Sequence, residues 1–151
     1  MSASKLPPVT LVRTFVAPRE KVFRAFTDPS SIPRWFGETG GATEVVELDL
    51  REGGRYVLRG SHRGGEWEVR GVYREVKIPE RLVFTWTETM SGRPAPAESL
   101  VSVLFRDAGA GTEVTLTHSN DELETTRRGH EEGWKVCFDL LVRVVMKEEL
   151  R

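Results

Sequence analysis

Cysteine occurs once in this chain of 151 residues, at position 137, which excludes an internal disulfide. No apolar run approaches the ~20 residues that a membrane helix needs. The opening residues, MSASKLPPVTLV, lack a long apolar stretch with a cleavage pattern and lack the glycine that N-myristoylation requires at position 2. The expectation is a soluble, cytoplasmic protein with no membrane insertion. Excess charge of either sign is also missing. Lys and Arg number 22 and Asp and Glu 23, a formal net charge of −1, so no global electrostatic attraction to nucleic acid is expected.

Recognisable chemistry is equally sparse. The three histidines, His62, His118 and His130, fall in no HxH, HExxH or mixed Cys/His spacing, so no metal site is expected. Gly53-Gly54 and Gly64-Gly65 do not open a helix, as a phosphate-binding loop must, and read as hairpin turns. Ser61, Ser91 and Ser119 lack a G-x-S-x-G context. Cys137 lies on an apolar helical stripe and reads as a small buried residue, not a nucleophile. No catalytic residue and no cofactor is assigned.

What the chain does contain is periodicity. From Trp134 onward, apolar residues recur at helical spacing (Trp134, Cys137, Phe138, Leu141, Val144, Val145) between Lys135, Asp139, Arg143, Lys147, Glu148 and Glu149. This is one amphipathic helix. Gly129 and Gly133, each costing a helix about 1 kcal/mol relative to Ala, predict a loosened turn or kink at 129–133. Before that helix the chain alternates with period two. A first strand is expected over 9–16, a short helix from Ala17-Pro18 to Thr27-Asp28-Pro29, and a second, capped by Ser30 or Ser31, through Trp35 and Phe36. Strands follow at 43–50, 54–60, 66–77, 81–89, 98–106 and 112–119, separated by Gly- or Pro-containing turns. Residues 90–97 read as a mobile loop. A chain of this length makes a single domain, 1–151, with a loose tail at 1–8. Many antiparallel strands and one long helix imply an α+β protein, a curved sheet wrapped on the C-terminal helix.

Alternation assigns the inward side chains. They are Val46, Leu48 and Leu50; Tyr56 and Leu58; Trp67, Val69 and Tyr73; Leu82, Phe84 and Trp86; Val101, Val103 and Phe105; Val114, Leu116 and His118. Gly71 is expected to mark a bulge. Glu66 and Glu68 flank Trp67 on the outer face, cross-strand from Arg59. Trp35, Phe36, Trp134, Phe138 and Leu141 approach from the helices. So many aromatics either fill the core or wall an apolar cavity, and both readings stay open. The candidate ligand-binding set is Trp35, Phe36, Tyr56, Leu58, Trp67, Val69, Phe84, Trp86, His118, Trp134, Phe138 and Leu141. In it His118 supplies a polar contact or, in an enzyme, a general base.

Several stretches keep a familiar order: Ala17-Pro18-x-x-Lys21-Val22-Phe23-x-Ala25-Phe26-Thr27-Asp28-Pro29, Ile32-x-x-Trp35-Phe36, Gly53-Gly54-Arg55-Tyr56, Pro79-Glu80-Arg81-Leu82-Val83-Phe84-Thr85-Trp86 and Gly133-Trp134. Over nearly its whole length the chain resembles the SRPBCC superfamily, specifically the branch similar to the C-terminal domain of the activator of heat shock protein 90 ATPase. The resemblance implies a helix-grip fold: a six- or seven-stranded antiparallel sheet around a C-terminal helix, with two short helices after strand one. It also implies a cavity for a small apolar molecule such as a lipid, sterol or polyketide. The expected function is therefore binding without catalysis. The alternatives are a stress-related, chaperone-associated protein acting through its surface, and a cyclase- or hydrolase-type enzyme using His118. Monomer and homodimer both remain open.

Overall fold

The computed structural model describes residues 6–37, 41–62, 65–91, 93 and 97–149, and of residues 62, 148 and 149 the backbone alone. Seven strands, β1 (Val9–Phe15), β2 (Ala42–Leu48), β3 (Arg55–His62), β4 (Gly65–Lys77), β5 (Arg81–Met90), β6 (Ser99–Ala108) and β7 (Gly111–Ser119), form one sheet. Its order is β1-β7-β6-β5-β4-β3-β2, and every neighbouring pair is antiparallel. Among the described residues two α-helices complete the fold, α1 (Arg19–Thr27) and α2 (Glu124–Glu149). This is the α+β helix-grip architecture. Among the described residues no helix is long and apolar enough to cross a membrane.

Local chemistry explains most element boundaries. Pro18 stands at the N-cap of α1, and Asp28, extended before Pro29, ends it. Asp28 then accepts hydrogen bonds from the backbone and hydroxyl of Ser30, each at 2.8 Å. The second expected helix shrinks to a 3-10 turn at Ile32–Arg34, with no side-chain cap from Ser31. The tail is tied down at its end, where Arg127 Nε donates to the Pro7 carbonyl at 2.7 Å. Residues 1–5 of the expected tail, and residues 92 and 94–96 of the expected loop, lie outside the described residues.

Two expectations about strand phase need correction. Val46 is 44% exposed, because the β2–β3 register shifts between Val45 and Glu47 and turns Val45 toward the core instead. The irregularity in β4 falls between Tyr73 and Glu75, not at Gly71. Gly71 serves a close crossing: it pairs with Tyr56, whose hydroxyl donates to the Thr85 carbonyl at 2.6 Å. A Cβ on Gly71 would stand 1.9 Å from that carbonyl oxygen and 2.7 Å from the Tyr56 ring.

The core lies between the concave sheet and the two helices. Phe26 of α1 meets Phe105 of β6 at a ring distance of 5.2 Å and Phe138 of α2 at 6.1 Å. Phe138 and Leu141 are completely buried there, with Phe15, Leu82 and Leu116. At 129–133, where a loosened turn or kink is expected, α2 continues as helix through both glycines. At the β1 edge, Arg13 reaches Asp139 of α2 at 2.7 Å. On the outer face Glu68 pairs with Arg59 at 3.0 Å, as alternation predicts, and also with Arg70.

Candidate functional site

Toward the N-terminal half of α2 the helix and sheet frame an open cavity of about 490 Å³. Its sheet wall comes from Trp67 and Val69 of β4 and from Trp86, Glu88, Thr89 and Met90 of β5. Register explains this wall, because Trp67 pairs with Met90 and Val69 with Glu88. Residues 86, 88 and 90 then share one face of β5. The helix wall carries Gly129, His130, Gly133, Trp134 and Cys137, residues three and four apart along one side of α2, with Glu132 and Val136 beside them. Phe36 and Gly37, after the 3-10 turn, close the far side.

The aromatics form a connected cup. The Phe36 ring lies 5.8 Å from Trp67 and 5.9 Å from both Trp86 and Trp134. Trp67 covers Gly60, where a Cβ would approach the indole to 2.2 Å. Across the cavity, added Cβ atoms on Gly129 or Gly133 would meet nothing within 4 Å. The two glycines therefore hold the helix wall back, and the volume of two absent side chains belongs to the cavity.

A buried polar cluster forms one end of this cavity. Trp134 Nε1 donates to His118 Nδ1 at 3.0 Å. An indole nitrogen is a donor only, so Nδ1 is the unprotonated nitrogen of His118. Its proton is on Nε2, which donates to Ser99 Oγ at 2.8 Å. His130 has the opposite surroundings. Its Nδ1 lies 3.0 Å from an Asp121 carboxylate oxygen and its Nε2 contacts Glu88 Oε1. Two carboxylates as acceptors require two N–H donors, so His130 is an imidazolium. Asn120, at φ 69°, turns the chain between β7 and α2 and brings Asp121 to this position.

The proton affinities follow from these contacts. Burial and then the His130 charge push the His118 pKa down to about 2. Burial acts against the His130 charge, but the hydrogen bonds and charges of Glu88 and Asp121 outweigh it and raise its pKa. Burial likewise raises Glu88, yet the His130 contact and the Trp86 indole, which donates to Oε1 at 2.7 Å, bring its pKa below the usual value. A second cavity, of about 150 Å³, lies on the other side of the Glu88–His130 pair, against Ser99, Asp121, Leu123 and Thr126. That ion pair is a partition between two hollows.

This arrangement limits the chemistry. His118 is uncharged, is 0% exposed and has both ring nitrogens engaged, so it has no lone pair to offer a substrate as a base. Burial holds the Cys137 thiol up at about 11. Ligand atoms of His118, Asp121 and His130 lie within 4.8 Å of one another. The two imidazoles, however, stack 12° from parallel, so their in-plane nitrogen lone pairs do not converge on one ion.

Of the candidate residues read from sequence, Phe36, Trp67, Val69, Trp86 and Trp134 line the main cavity. Trp35, Tyr56, Leu58 and Phe84 surround a deeper void of about 40 Å³. His118 sits behind Trp86 and Trp134, at ring distances of 5.2 and 6.4 Å. Phe138 and Leu141 belong to the solid core. Sequence reasoning did not place Glu88 or His130 at the site, and it read Gly129 and Gly133 as a loosened turn or kink, not as cavity wall. Signals for them existed: Glu88 is two residues from the inward Trp86, and His130 is four residues from the inward Trp134.

Known structures share this architecture. A protein from Chromobacterium violaceum superposes with a TM-score of 0.82 at 23% identity, covering 92% of this chain and 96% of its own. The AHSA1 protein from Silicibacter pomeroyi gives 0.82 at 24% identity, covering 93% and 99%. A protein from Rhizobium loti gives 0.76 at 28% identity, covering 90% and 94%. No curated protein matches the chain. The sequence pattern of the "Activator of Hsp90 ATPase homolog 1-like protein" family matches residues 16–146, from the end of β1 to the last turn of α2, and the chain belongs to that family.

Proposed function

We propose that the protein binds a small, largely apolar molecule in the cavity between β4, β5 and α2, without converting it chemically. The observation that carries this reading is the cavity of about 490 Å³ walled by Phe36, Trp67, Trp86 and Trp134. Small-molecule sites are typically about 300–1,000 Å³, mostly apolar, with a few placed polar groups. Removing ligand surface from water there is worth about 25 cal/mol per Å². The engaged nitrogens of His118 and the high thiol pKa of Cys137 argue for binding over catalysis. Membership of a family whose fold commonly accommodates hydrophobic ligands supports the same reading.

Native mass spectrometry of gently purified protein, followed by solvent extraction, tests it. The expected result is a stoichiometric small molecule whose retention is lost in Trp67→Ala. A clean unliganded mass, with no gain on challenge with lipids, sterols and polyketides, would overturn the reading for those classes. A stable complex with a heat shock protein 90 homologue, together with a changed ATPase rate, would then favour action through the outer surface.

A further inference from the structure

The charge distribution around the cavity narrows the ligand class. Among the described residues lining it, the carboxylates are Glu88 and Glu132, and neither Lys nor Arg is present. The one cation, His130, has both N–H groups committed, to Asp121 and to Glu88. It has no donor left for an incoming anion. Glu88, His130 and Asp121 together carry one net negative charge, and Glu132 adds another from the exposed helix surface.

Glu88 is also asymmetric. Trp86 and His130 both bond to Oε1. Oε2 accepts no hydrogen bond among the described residues, and the side chain keeps 33% of its surface accessible. It is a carboxylate oxygen that is held in place, ionised and free to accept. Three indoles and a phenyl ring stand around the same space, and their faces attract cations. An anionic headgroup would meet two carboxylates and no free cation, since the donors beside them, such as the Thr89 hydroxyl and the Trp67 indole N–H, are neutral. A neutral hydroxyl could satisfy Oε2 but would gain neither charge pairing nor cation–π attraction.

Resting on the cavity-binding reading above, we propose that the ligand is an organic cation, a protonated amine with an apolar body. Its ammonium sits at Glu88 Oε2 and its apolar part lies among Phe36, Trp67 and Trp134.

Titration with octylamine, octanol and octanoate at pH 7, followed by tryptophan fluorescence and calorimetry, tests the charge preference at constant chain length. The expected order is octylamine at least tenfold tighter than octanol, with octanoate weakest. In Glu88→Gln the amine loses about tenfold, and its preference over octanol is expected to disappear. Octylamine binding is expected to weaken two- to threefold in Glu132→Gln, an effect that salt removes. If octanol or octanoate binds as well as octylamine, or if Glu88→Gln leaves the amine unaffected, the cation assignment falls and the cavity-binding reading stands. If none of the three binds, the cation assignment falls, and the native mass spectrometry above decides separately whether the cavity-binding reading stands. The order in the unsubstituted protein decides the matter even where Glu88→Gln fails to fold.

Discussion

His118 and His130 stack face to face, with ring centroids 4.0 Å apart and planes 12° from parallel, and they hold opposite protonation states. The donors at hand set the difference. An indole N–H faces one ring and two carboxylates face the other. The imidazolium then depresses its neutral neighbour further, as two charged rings at this distance would repel strongly.

Stability should therefore peak near neutrality and fall on both sides. The His118 pKa is about 2 when folded and roughly 6.5 in an unfolded chain. Its contribution is present above ~6.5 and is lost as pH falls, by about 1.4 kcal/mol per pH unit. The raised pKa of His130 acts the other way: its contribution is full below ~6.5 and is lost as pH rises through the folded value. Glu88, lowered on folding, adds to the acid loss. Urea midpoints measured from pH 4 to 9 should trace this peak, and a flat profile would refute it. Nitrogen-resolved NMR should show His118 as the Nε2–H tautomer with no titration between pH 8 and 4.

The two kinds of glycine should respond oppositely to alanine. Gly71→Ala drives a methyl into the Thr85 carbonyl, and overpacking of this kind costs about 1–3 kcal/mol. Its Tm should fall by roughly 2–4 °C per kcal/mol. Gly129→Ala and Gly133→Ala meet open space, so each should stabilise α2 by about 1 kcal/mol. Their methyl groups also take volume from the cavity, so ligand affinity should drop while Tm rises. Unchanged affinity in both helix variants would mean that the ligand sits elsewhere.

Trp134→Phe keeps an aromatic ring beside Phe36 but removes the donor to His118 Nδ1. A buried acceptor left unsatisfied costs about 1–3 kcal/mol. Chemical denaturation should show that loss, and NMR should show His118 no longer confined to one tautomer. A loss below about 0.5 kcal/mol would mean that this hydrogen bond does not hold the ring.

Cys137 is 6% exposed, with its thiol pKa at about 11. At pH 8 the native thiol should resist alkylation, and its reaction rate with iodoacetamide should rise with the unfolded fraction as urea is added. Rapid labelling without denaturant would contradict the buried placement.

The expectations that held were those that rest on neighbours along the chain. Alternation in Val114, Leu116 and His118 pointed all three inward, and each is 0% exposed. It misassigned Val46 because a bulge inserts one residue into the count, and nothing in the local pattern announces which position takes it. Glu88 and His130 were not placed at the site for another reason: ionisable side chains usually face solvent. Their burial is tolerable because they meet each other and Asp121.

By itself the sequence determined the strands, the single long helix and the aromatic character of the space between them, because periodicity and turn residues act over a few positions. Tertiary structure alone decided that the aromatics divide between a solid core at Phe138 and an open cavity at Trp67. It also decided that one histidine is charged and its neighbour is not. Both depend on long-range partners, such as Ser99 for His118 across 19 residues and Glu88 for His130 across 42. Proton affinity and empty volume belong to the assembled surroundings of a side chain, and no local pattern encodes them.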